Sequence, residues 1–302
     1  MKYGTDAIDE REKRCLSCQI LDPIEDPEAA FYSMTGMEKI ERRFRMLCDL
    51  TKYNVQRRMS CDLPGHKVNL HSLFLGPVGT GKSSVARLWG SMLKQAGVLS
   101  SGHVVCCDRT TFVGQYFGDE EKRVATALDL AHGGVLFIDE AYTLSPADWQ
   151  DPGHNVLPLM LNALADESNR DICVVLAGYE KMMEDMISRN VGLASRFPNR
   201  FVVSAFSKSQ LMEIAAKRLA KRGYTMTPEA WLKYEAQVDA ALASRTDEFG
   251  NGRWVANTLD DVYMTHAQRC IETGIEGEDL LTITPDDISL RTPPPARRIG
   301  FR

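Results

Sequence analysis

Residues 76–83, Gly-Pro-Val-Gly-Thr-Gly-Lys-Ser, space their glycines, lysine and hydroxyl as in the pattern G-x-x-x-x-G-K-[ST]. Glycines at 76, 79 and 81 let the chain turn so that backbone N–H groups face inward, a concave donor surface suited to phosphate oxygens. A helix starting after the loop adds the positive end of its dipole. Lys82 would place a compact cation on the β- and γ-phosphates of ATP, and the Ser83 hydroxyl would coordinate Mg²⁺. The expected nucleotide-binding residues are therefore Gly76, Pro77, Val78, Gly79, Thr80, Gly81, Lys82, Ser83 and Ser84.

A second group follows about fifty residues later, where the apolar run Gly133-Gly-Val-Leu-Phe-Ile stops at Asp139-Glu140. A buried strand that ends in two acids sets them at the carboxyl edge of a sheet, where open α/β folds bind ligands. Asp139 would hold Mg²⁺ through water, and Glu140 would polarise the attacking water. Taken alone, an acidic pair after a strand fits a solvated turn equally well. Downstream of a phosphate loop it points to Mg²⁺-dependent hydrolysis of ATP to ADP and phosphate.

Elements that could position these groups are legible as periodicity. Short apolar runs recur at residues 70–75, 104–107, 135–138, 172–176 and 201–203, with helical stretches between most of them. That alternation predicts a parallel sheet covered on both faces. A helix is expected over residues 37–57, where Ile40, Phe44, Leu47, Cys48 and Leu50 fall close to helical spacing. Beyond Ser204 the strands stop, and helices are expected over residues 208–222, 228–244 and 253–273. Residues 1–30, polar, acidic and broken by Pro23 and Pro27, read as an extension with little core of its own. Residues 291–302 open with a proline run and read as a flexible tail.

With 302 residues the chain can bury a sizeable core and divide into a larger and a smaller domain. A formal charge of −5 without a basic stripe supplies no phosphate footprint, so no nucleic-acid partner is expected. The opening residues lack the apolar core of a signal peptide, and no run approaches a membrane span of about 18 residues. A cytoplasmic protein without membrane insertion is the expectation. The eight cysteines form no regular framework and read as reduced thiols. Cys15 and Cys18 have metal-like spacing, with Cys61 and His66 as distant further ligands, but one CxxC without a second pair is weak evidence for zinc.

These motifs in this order resemble the AAA+ family of P-loop ATPases. The more specific words are Phe112-Val-Gly-Gln-Tyr-Phe-Gly118, Gly134-Val-Leu-Phe-Ile-Asp-Glu-Ala-Tyr142 and Val175-Leu-Ala-Gly-Tyr-Glu180, with Gly192-Leu-Ala-Ser-Arg196-Phe and Asn251-Gly-Arg253 behind them. They look like the CbxX/CfqX branch, which includes red-type Rubisco activases, the sporulation stage V protein K and type VII secretion ATPases. The resemblance implies an α/β large domain with a five-stranded parallel sheet flanked by helices, over residues 31–205, and a small all-helical lid, over residues 206–290. It also implies a homo-oligomeric ring, usually a hexamer, in which each nucleotide lies between two subunits.

Arg196 matches the finger that a neighbour extends to the γ-phosphate; where relatives often carry a second arginine two residues earlier, this chain has Ala194, and Arg200 is a poorer match. Arg253 matches the arginine that reports phosphate state, and Tyr179 stands where the wider family has a sensor asparagine. Adenine would lie near residues 34–37. Tyr116 and Phe117 fall where such rings place a substrate-gripping pore loop, and an aromatic between glycines suits a sequence-blind grip. The implied function is chaperone-like remodelling or partial threading of a client protein, and the alternative is an assembly ATPase that recruits partners without threading.

Overall fold

The computed structural model describes residues 16–61, 68–114, 116, 118–146, 148, 150–165, 171–247 and 249–289. They fall into two compact units: the first runs to Gly76 and resumes over Gly81–Val203, and the second comprises Pro77–Thr80 and the chain from Ser204.

In the first unit a six-stranded sheet is built from β1 (Gln19–Leu21), β2 (Ser72–Leu75), β3 (Val104–Cys107), β4 (Val135–Ile138), β5 (Cys173–Gly178) and β6 (Asn199–Val202), in the spatial order β1-β3-β4-β5-β2-β6. The five expected strands pair in parallel. β2, β4 and β5 are buried at every position, which is why they read as unbroken apolar runs rather than alternation.

One face packs Leu73, Leu136 and Val174 with Val124, Leu157 and Met186 from the helices Asp119–Leu130, Gly153–Ala165 and Glu180–Arg189. The other face carries an aromatic cluster. Phe44, from the helix Glu38–Cys61, stacks on Trp89 at 4.2 Å between ring centroids, and Phe74 meets Phe201 edge-on at 5.4 Å. Such pairs add about 0.5–1.5 kcal/mol each beyond the area they bury.

The extension expected over residues 1–30 is corrected where it is described. β1 adds an antiparallel edge to β3, with Gln19 opposite Cys106 and Leu21 opposite Val104. The helix Pro27–Ser33 follows, capped by Asp26, whose carboxylate accepts from the Ala29 N–H at 2.9 Å, and it buries Phe31. A three-residue strand is too short to show a period, and its benefit, covering the open edge of β3, is tertiary.

The second unit holds the helices Lys208–Lys221, Pro228–Ala243 and Gly252–Thr273, close to the expected spans. Ser207 and Gln210 form a capping box, Thr227 caps the second helix ahead of Pro228, and Gly274 ends the third at φ 66°. The unit is helical but not purely so: β7 (Thr225–Met226) pairs in parallel with β8 (Thr282–Ile283). Two-residue strands leave no sequence signature. Beneath them Asp287, 1% exposed, accepts from Arg269 Nε at 2.6 Å, Arg269 Nη2 at 2.9 Å and the Thr284 N–H at 2.8 Å, and it meets His266 Nδ1 at 3.0 Å. The tail at 291–302 lies outside the described residues.

Candidate nucleotide-hydrolysis site

Strand order concentrates the chemistry. β2 lies between β5 and β6, and the chain then crosses to β3 beyond β4, so β2 borders the point where connectivity reverses. In register, Leu75 faces Gly178 and Ile138 faces Leu176. One edge of the sheet therefore receives Gly76 after β2, Asp139 and Glu140 after β4, and Tyr179 after β5.

Gly76 N–H donates to Gly178 O at 3.0 Å, and a β-carbon at Gly76 would overlap the Val203 carbonyl. Gly81, at φ 89°, caps the helix Lys82–Gln95, and Lys82 Nζ donates back to Gly76 O at 2.9 Å. Met34 and Met37 approach the same glycine; a β-carbon there would come 3.6 and 4.0 Å from their methyl groups. Within the second unit, Gly79 at φ 71° passes so close to the Gly250 carbonyl that no side chain fits. Thr80 donates its hydroxyl to Pro77 O at 2.9 Å.

Ser83, Asp139 and Phe137 line one cavity of about 520 Å³ with residues of β1 and the end of β3. Ser83 and Asp139 are both exposed, and Asp139 Oδ1 accepts the Glu140 N–H at 3.0 Å. A hydroxyl and a carboxylate opening into one cavity beside a glycine-shaped cradle fit a hydrated Mg²⁺ on a nucleoside triphosphate. Glu140 has φ 49° and ψ 41°, and its carbonyl accepts from Thr143 N–H at 2.9 Å and Oγ1 at 2.7 Å. Its carboxylate is exposed, without a hydrogen-bond or ion-pair partner among the described residues.

Tyr179 caps the helix Glu180–Arg189, with its ring centroid 6.0 Å from Lys82 Nζ and 6.3 Å from the Tyr142 ring. Burial, reinforced by the charges of Glu140, Tyr179 and Asp139, pushes the Tyr142 hydroxyl up to about 12. Tyr142 was not among the expected site residues, although the motif ending in it was; nothing in the sequence says that its ring lies against Gly178.

Arg196 ends the short helix Val191–Arg196, touching Gly192 O at 3.4 Å, and its guanidinium pairs with no carboxylate among the described residues. Arg200 is exposed on β6. Arg253, exposed at the start of the helix Gly252–Thr273, follows Asn251, which is fully buried at φ 46° and ψ −120°. A backbone of that kind costs a non-glycine residue about 1–3 kcal/mol. Tyr116 is 75% exposed, and its N–H donates to Asp119 Oδ2 at 3.2 Å, while Phe117 lies outside the described residues. Cys15 and His66 also lie outside them; Cys18 packs against the sheet core, and Cys61 is exposed. Burial raises the Cys18 thiol, and among the described residues no cluster of three or more His, Cys, Asp or Glu is arranged to hold a metal.

Residues 72–205 match the ATPase family associated with various cellular activities (AAA), and residues 207–297 match the AAA lid domain. The chain belongs to the AAA+ family and is an ATPase. It is 32% identical to stage V sporulation protein K of Bacillus subtilis, over 89% of this chain and 83% of that protein. It is 33% identical to protein CbbX of Cereibacter sphaeroides, over 84% and 82%. It is 31% identical to the chloroplastic ribulose bisphosphate carboxylase/oxygenase activase of Cyanidioschyzon merolae, over 84% and 87%. Within the family it is a member of the CbxX/CfqX branch. The fold alone is shared with the FIGL-1 AAA domain in complex with ADP, at a TM-score of 0.62 and 17% identity over 94% of this chain and 89% of that one. No helix among the described residues is long and apolar enough to cross a membrane.

Proposed function

We propose that the chain assembles into a homo-oligomeric, hexameric ring in the cytoplasm and spends ATP to remodel a client protein, part of which passes through the central pore. The observation that carries this reading is Tyr116, a large aromatic that is 75% exposed and falls in sequence between Gly114 and Gly118. Were it a core residue its truncation would cost about 3–5 kcal/mol; at that exposure it is free to grip.

The chemistry follows from the site. Residues 76–84 bind the phosphates through backbone N–H groups, with Lys82 on the β- and γ-phosphates. Ser83 and Asp139, which open into one cavity, would hold Mg²⁺, and the ion would supply charge neutralisation to the phosphates. Glu140 orients the attacking water and takes its proton, and with no partner for its carboxylate among the described residues both oxygens are left for that task. Arg196 of a neighbouring subunit stabilises the γ-phosphate charge, a role that suits a guanidinium with no carboxylate of its own among the described residues. Arg253 and Tyr179 read the phosphate state, and adenine lies near residues 34–37.

Replacing Tyr116 by alanine tests the grip. Melting temperature and basal ATPase should stay at parental values, while ATP-driven unfolding of a fluorescent protein with an unstructured tail is lost. Unfolding at the parental rate would replace threading by a nucleotide-switched assembly function. Shared active sites are tested by mixing Arg196→Ala with Glu140→Gln subunits. Some interfaces then combine an intact base with an intact finger, so hydrolysis should rise above that of either variant; no gain after verified subunit exchange would refute the shared site.

A further inference from the structure

Residues 250–253 form a tight turn closed by the Arg253 N–H on Gly250 O at 2.9 Å, and Asn251 occupies its second position. Positive φ there favours glycine. Asn251 instead carries a fully buried amide with three partners. Nδ2 donates to Val78 O at 3.1 Å and to Phe249 O at 2.9 Å, and Oδ1 accepts the Phe206 N–H at 3.1 Å. One amide thus uses both its hydrogens and its oxygen, and its partners, two carbonyls and one N–H, leave no ambiguity about which end is which. Aspartate would set a carboxylate against two carbonyls, and glycine would relieve the backbone but leave Val78 unheld.

The consequence lies in peptide geometry. Gly252 N–H also donates to Gly79 O at 2.9 Å, so two successive loop carbonyls, Val78 and Gly79, point at this turn. In a trans peptide the N–H points opposite its C=O. The N–H groups of Gly79 and Thr80 are thereby turned away from the turn, as a phosphate cradle requires. We propose that Asn251 is a positioning residue for nucleotide binding: its side chain holds the Val78 carbonyl and so presets the N–H groups that receive phosphate. The inference rests on the reading of residues 76–84 as the phosphate site.

The experiment titrates a fluorescent ADP analogue into the full chain carrying Lys82→Ala, Asn251→Gly or Asn251→Asp, with melting curves and ATPase kinetics on the same preparations. Asn251→Gly should melt near the parent, because relief of the backbone offsets the lost bonds. It should bind ADP about tenfold more weakly and raise KM with little change in kcat, since Glu140 and Arg196 are untouched. Asn251→Asp should bind weakly at neutral pH and recover as acidification protonates the carboxyl, which then has a hydrogen to give Val78; the parent should show no such recovery.

A stable Asn251→Gly protein with parental affinity overturns the proposal. If that variant melts early, the pH profile of Asn251→Asp decides, and a flat profile, or unfolding of both variants, overturns it by showing a purely structural role. Parental affinity in Lys82→Ala would instead bring down the phosphate-site reading itself, separating the two failures.

Discussion

Glu140 and Asn251 are the two non-glycine residues at positive φ among the described residues, and they use that backbone in opposite ways. Glu140 sits in the left-handed helical well at φ 49° and ψ 41°, exposed, its carbonyl fixed by Thr143 and its carboxylate uncommitted among the described residues. Asn251 sits outside that well at φ 46° and ψ −120°, fully buried, with its side chain committed to three backbone groups. In the first case the turn aims a side chain at solvent, where the proposed activation of water would take place. In the second the side chain aims a backbone. Local strain alone therefore does not identify a catalytic group; what the side chain has left to give does.

The comparison breaks most visibly at Glu140. Glu140→Gln should cut turnover by about 10²–10⁴ while leaving ADP binding intact, because only the proton acceptor is lost. Hydrolysis close to the parent's would remove Glu140 from the chemistry. Glycine substitution at both turns sharpens the contrast at a smaller scale. Glu140→Gly should abolish hydrolysis at parental ADP affinity, whereas Asn251→Gly should weaken affinity about tenfold and still turn over. Identical phenotypes would erase the distinction between the two turns.

The smallest effect concerns the polar cluster at Asp287, which has neither role. Burial alone would raise its carboxyl, but Arg269, the Thr284 N–H and His266 outweigh it and hold the group at about 2. A folded-state value below the ordinary carboxylate range gives stability that is present above about pH 4 and is lost as pH falls through the folded value. Melting temperature should therefore decline between about pH 4 and pH 2, and Asp287→Asn should flatten that limb without altering nucleotide affinity at neutral pH. An unchanged acid limb in the variant would assign the decline to other carboxylates.

Much of the fold was legible because its signals are local. The runs at residues 104–107 and 135–138 are apolar at every position, and they became β3 and β4 without adjustment. The three helices of the second unit carry their own stop and start signals at Ser207, Thr227 and Gly274. β1 was not legible: Gln-Ile-Leu has no periodicity to read, and its partner Cys106 lies far along the chain. In the candidate site, residues 76–83 and Asp139-Glu140 are legible as type and spacing. Asn251 was visible only as a letter ahead of Gly252-Arg253, and Tyr142 only as the end of a motif.

The sequence by itself determined which atoms are available: a glycine-rich cradle, a lysine, a hydroxyl, two acids at a strand end and an aromatic between glycines. Hydrophobic periodicity and residue chemistry are written within a few positions, so they survive without the fold. Only the tertiary structure decided that β2 would lie between β5 and β6, bringing Gly76 beside Gly178. It also decided that the amide at 251 would reach the carbonyl at 78. Those choices depend on contacts between residues a hundred or more positions apart, and no local pattern encodes which distant backbone group a buried amide will find.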